Sequence, residues 1–104
     1  KEALDAAKLW APLEPRLVFA QNVRQVLDYV ARSEAEAGFV YATDAAIMAD
    51  KVKVAFDVPT STPVRYPIAV VKDSKHPDLA RAFVAYVASD AGQQVLRKYG
   101  FRAP

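Results

Sequence analysis

Between Asn22 and Arg32 the apolar side chains fall at Val23, Val26, Leu27 and Val30, a spacing that lines one face of a helix. Asn22 is the natural N-cap, since its short side-chain oxygen can accept from the first free amides. Just upstream, Arg16-Leu17-Val18-Phe19-Ala20 is an apolar run of strand character, so the pair reads as a strand breaking into a helix. The same alternation recurs. After the polar turn Ser33-Glu34-Ala35-Glu36 comes a short strand, Ala37-Gly38-Phe39-Val40-Tyr41, then a helix start at Ala45-Ala46-Ile47-Met48 that Thr43 or Asp44 would cap. Val52 to Phe56 reads as a third strand and Tyr66 to Val71 as a fourth, with Pro67 near its beginning, where a lost ladder donor is tolerable.

The two ends of the chain read as helical. Lys1 to Trp10 has the look of a helix already under way, without a leading cap, and Pro12 and Pro15 stop it. That beginning raises the expectation of a piece cut from something longer. Near the other end, Pro77 suits a first helical position, and Leu79, Ala82, Phe83 and Tyr86 form one apolar stripe. Ser89 would cap a further helix through Val95, Leu96 and Tyr99, closed by Gly100. Strands alternating with helices predict an α/β layered fold. The Pro-bearing polar stretch Asp57 to Pro63 is the one natural linker and predicts a lobe boundary.

Composition narrows the function. The 104 residues are 53% hydrophobic, enough for a core, and 14 basic against 12 acidic side chains leave a net charge of only +2, spread along the chain. A nucleic-acid partner is not implied. Without cysteine there are no disulfides, thiolate nucleophiles or thiolate metal sites. No apolar stretch approaches the roughly 20 residues of a membrane-spanning helix.

The catalytic inventory is poor. His76 is the single histidine and stands before Pro77 in a lysine-rich turn, where a surface or helix-cap role is the better reading. Glu34, Glu36, Asp73 and Asp78 read as solvated, and the isolated glycines Gly38, Gly92 and Gly100 make no phosphate cradle. What remains is a set of neutral donors: the amides opening the helix at Val23, and the hydroxyl of Tyr41 at the end of the next strand. Successive parallel strands end on one edge of a sheet, so both would face one crevice. Arg24, next to Val23, is a tempting anion ligand. On the first helical turn it sets a cation against the positive end of the dipole, and a solvent-facing or ion-paired role competes with that.

The run Ala20-Gln21-Asn22-Val23-Arg24-Gln25-Val26-Leu27, then Glu36 to Ala45, then Tyr66-Pro67-Ile68-Ala69-Val70-Val71 and Arg97-Lys98-Tyr99-Gly100-Phe101, in that order and spacing, resembles the C-terminal half of the periplasmic molybdate-binding proteins of ABC transporters. The resemblance implies a fragment of the type II periplasmic-binding-protein fold, with two lobes of three α/β/α layers closing over a tetrahedral oxyanion. Residues 1–62 would belong to the second lobe, and residues 63–104 would be the hinge strand and C-terminal helices returning to the first. It further implies that the Val23 backbone amide and the Tyr41 hydroxyl contact molybdate or tungstate. They would be its only contacts from this chain, the other donors lying in the N-terminal half, so the isolated chain is expected to bind weakly. No cofactor is implied, nor an enzyme. The partners implied are the oxyanion and an ABC permease at the membrane, and the location is the bacterial periplasm.

Elementary chemistry suits such a site. A fully deprotonated dianion offers only acceptors, so amides and hydroxyls satisfy it without a countercharge, helped by the helix dipole. Two other readings stay open. An effector-binding domain of a cytoplasmic transcriptional regulator shares this architecture, and the chain could be a structural module without ligand competence. Tyr41 also has a bland reading, as a strand-end aromatic packing on Phe39 or Trp10. The strand at Tyr66 to Val71 and the amphipathic C-terminal helices are expected to make the isolated chain self-associate.

Overall fold

In the computed structural model, which describes every residue from Lys1 to Pro104, the regular elements are six α-helices and one 3-10 turn, with no strand. The helices are α1 (Glu2–Ala6), α2 (Trp10–Leu13), α3 (Val23–Ala31), α4 (Ala42–Ile47), α5 (Pro77–Ala88) and α6 (Asp90–Lys98), and the 3-10 turn Glu14–Arg16 follows α2. The chain divides into two compact units, Lys1–Pro63 and Val64–Pro104.

In the first unit, local signals place α3 where the periodicity puts it. Asn22 is extended and its Oδ1 accepts from the Gln25 amide at 2.9 Å, while Gln25 Oε1 accepts from the Gln21 amide at 2.7 Å. This is a capping box displaced by one residue, and it satisfies two of the otherwise orphaned donors. The apolar stripe turns inward: Leu27 is 2% exposed and Val23, Val26 and Val30 are half-buried. α3 packs on α4, whose Ala45 is also buried. At its far end α3 closes with Ser33 at φ 60°, the Ser33 amide donating to Val30 and the Glu34 amide to Tyr29. That is a Schellman closure built on serine rather than glycine.

The first helix is shorter than its pattern predicts. Lys8 turns to φ 58°, its amide donating to Asp5 and that of Leu9 to Leu4, so α1 ends in the same motif and α2 starts afresh at Trp10. Pro12 does not stop α2; it is the third helical residue, where its missing amide would have no helical acceptor anyway. Thr43 and Asp44 do not cap α4 either. Tyr41 is the N-cap, and both residues fall in the first turn.

The expected strands are the principal correction. Arg16 belongs to the 3-10 turn, and the rest of Arg16–Ala20, with Ala37–Tyr41, Val52–Phe56 and Tyr66–Val71, has no ladder hydrogen bonds. A strand is stable only beside another strand, whose backbone takes its donors and acceptors. None of these runs is paired with another, and Val18, Phe19, Phe56, Ile68 and Val71 remain exposed. The regular structure observed is thus helical, and the expected α/β layering is not seen.

In the second unit, α5 begins with Pro77 at its first position and α6 is capped by Ser89 Oγ, which accepts from the Gly92 amide at 3.2 Å. Gly92 sits in the tight corner between the two helices, and a β-carbon there would stand 2.2 Å from the Tyr86 carbonyl oxygen. Gly100, at φ 93°, completes a third Schellman closure, with the Gly100 amide on Arg97 and the Phe101 amide on Leu96. Phe101 then meets Tyr66 edge to face at 5.7 Å. The α5 stripe of Leu79, Phe83 and Tyr86 does not face a core: Leu79 is 71% exposed and the other two are exposed as well.

Candidate functional site

The capping arrangement at Asn22 decides which amides α3 offers. Four amides at a helix start lack helical acceptors. Of these, the Gln25 amide is taken by Asn22 Oδ1 and those of Val23 and Arg24 have no intrachain acceptor, while the Val26 amide makes the first helical bond, to the Asn22 carbonyl. The Val23 amide therefore emerges at the positive end of a nine-residue helix, the local geometry in which backbone donors meet anions.

Tyr41 stands at the start of α4 rather than at the end of a strand. Its backbone is extended, and its carbonyl accepts from the amides of Asp44 and Ala45 at 3.0 and 3.1 Å. The side chain is 43% exposed. Both sequence-predicted ligand residues thus occupy helix starts, and the two helices pack together.

One ion pair joins these starts. Arg24, the second residue of α3, places Nη2 3.0 Å and Nε 3.1 Å from Oδ1 of Asp44, in the first turn of α4. Arg24 is 55% exposed at its side chain and Asp44 only 14%. Pairing removes the conflict between the Arg24 cation and the α3 dipole, while the carboxylate complements α4. The ion-paired reading of Arg24 is the one observed. The sequence offered Asp44 only as a candidate cap complementing the helix dipole; nothing in the local pattern links it to a residue twenty positions earlier.

Gly38 supports the same corner. A β-carbon there would stand 2.6 Å from Val26 Cγ1 and 3.0 Å from Val30 Cγ2, so the segment leading to Tyr41 runs hard against α3. Elsewhere in the unit, an open, mainly apolar hollow of about 190 Å³ is lined by Val18, Tyr29, Glu34 and Ala35. It contains none of the predicted ligand residues. His76 is the N-cap residue of α5 without a side-chain cap bond, and its amide donates to Ser74 Oγ at 3.2 Å. Asp78 pairs with Arg81 at 3.2 Å on the exposed surface of α5.

Residues 1–102 match the family described as bacterial extracellular solute-binding protein. YvgL of Bacillus subtilis, provisionally named an ABC transporter substrate-binding lipoprotein, is 40% identical over 99% of the chain and 40% of its own length. The molybdate-binding protein ModA of Haemophilus influenzae is 40% identical over 99% of the chain and 41% of its own. For ModA of Escherichia coli the figures are 36%, 97% and 39%. The chain thus spans about 40% of the length of the curated relatives it matches. No solved structure matches it significantly.

Proposed function

The chain belongs to the bacterial extracellular solute-binding protein family, and from that premise we propose that it forms part of a receptor for molybdate or tungstate serving an ABC importer. The receptor captures the tetrahedral oxyanion between two lobes in the periplasm and delivers it to a membrane permease, with no catalytic step. The observation that carries this reading is the opening of α3, where the Asn22 cap leaves the Val23 amide without an intrachain acceptor beside the start of α4 at Tyr41. The names of the ModA relatives supply the ligand class.

In this reading the Val23 amide and the Tyr41 hydroxyl are the chain's two oxyanion contacts. Residues 1–62 lie in the second lobe, and residues 63–104 carry the hinge segment and the helices returning to the first. The remaining donors come from residues outside these 104. Neutral donors fixed on helix starts satisfy a dianion that only accepts, and their spacing rather than a countercharge sets which oxyanion fits.

Titrating molybdate, tungstate and sulfate by calorimetry into the full-length receptor bearing this chain tests the reading. Tight molybdate or tungstate binding with weak sulfate binding is expected; no preference among the three would contradict it. The 104 residues on their own leave Phe19, Phe56, Leu79 and Phe83 in water, and they are proposed to self-associate through such surface. Light scattering that shows a monomer at high concentration would refute that.

A further inference from the structure

We propose that Asp44 is a positioning and charge-cancelling residue of the oxyanion site, holding Arg24 so that recognition stays with neutral donors. The inference rests on the receptor reading above. Arg24 is the residue after Val23, and Asp44 lies three residues after Tyr41, so the ion pair joins the two helix starts that carry the proposed ligand groups. Two guanidinium nitrogens, Nη2 and Nε, converge on Oδ1 of a largely covered carboxylate, at 3.0 and 3.1 Å. The Arg24 charge is thereby paired with that of Asp44, and the first turns of α3 and α4 are tied to each other.

An uncancelled cation at that point would draw in any dianion, because Coulomb attraction reads charge and not size. The amide and hydroxyl donors read geometry. With the pair intact, selection is left to them. The two partners therefore have opposite electrostatic effects on ligand, which a purely structural brace would not show.

The test is calorimetry on the full-length receptor with molybdate and sulfate at low and moderate salt, for the wild type, Arg24→Gln, Asp44→Asn and the double variant. Arg24→Gln leaves the carboxylate unopposed beside the incoming dianion and is expected to weaken molybdate binding roughly tenfold. Asp44→Asn frees the cation: binding of both anions becomes stronger and more salt-dependent, and the preference for molybdate over sulfate falls several-fold. The double variant returns towards wild type. Arg24→Lys, which keeps the charge but brings a single ammonium to Oδ1, separates charge loss from misfolding and should bind molybdate more tightly than Arg24→Gln.

If both single variants weaken molybdate alike with the preference unchanged, the pair is only a brace and the inference is overturned. Arg24→Lys failing as badly as Arg24→Gln overturns it as well. A wild-type receptor that binds no oxyanion overturns the receptor reading itself, whatever the variants do.

Discussion

Gly38 lies so close to Val26 of α3 that a β-carbon on it would stand 2.6 Å from Val26 Cγ1. Valine in a helix has one strongly preferred rotamer, so Val26 cannot turn away cheaply. Gly38→Ala must push the segment leading to Tyr41 off α3. A loss of about 1–3 kcal/mol is expected, as for other overpacked sites. Urea denaturation checks it, and a variant as stable as wild type would show that the segment has room to move.

Ser33 ends α3 at φ 60°, a region where a residue with a β-carbon is strained by roughly 1–2 kcal/mol. Ser33→Gly relieves that strain, and the greater freedom of glycine in the unfolded chain offsets part of the gain. A net stabilisation of about 0.5–1 kcal/mol is expected, read as a higher urea midpoint at unchanged slope. A lower midpoint would mean that the serine side chain contributes more than its backbone strain costs.

Glu2 accepts the Ser61 amide at 2.8 Å, joining α1 to the segment that ends the first unit. That hydrogen bond, from the Ser61 backbone first and its side chain second, holds the Glu2 carboxyl below the ordinary glutamate value. A carboxyl depressed in the folded state contributes stability above its unfolded pKa and loses it as pH falls through the folded one. The contribution should be present at neutral pH and vanish on the acid side of the usual carboxylate range. Thermal melts of wild type and Glu2→Gln, run at neutral and acid pH, should differ at neutral pH and converge in acid; a constant difference would contradict this.

The helices were legible because their signals are local. Asn22, Pro77, Ser89 and Gly100 each act within one turn of their own position, and each does in the structure what its residue type predicts. The break at Lys8 was hidden because the left-handed position is filled by lysine rather than glycine. The strands misled for the opposite reason. Runs such as Tyr66 to Val71 encode competence to pair, but pairing needs a neighbour that the run itself does not specify. Of the site, the capped helix start was readable in Asn22 and Val23. Its connection to Tyr41 was expected through parallel strand ends, which do not form; the structure instead joins the starts of α3 and α4 by the Arg24–Asp44 pair across 20 residues, and no short-range pattern marks which acid an arginine will meet.

In the proposed receptor, Tyr41 donates to an oxyanion beside the Val23 amide. The most direct test is the calorimetric affinity of the full-length receptor for molybdate, wild type against Tyr41→Phe. Losing one charge-assisted donor should weaken binding by about 1–3 kcal/mol while the fold is kept. An unchanged affinity in a folded Tyr41→Phe receptor would remove Tyr41 from the site and contradict the account.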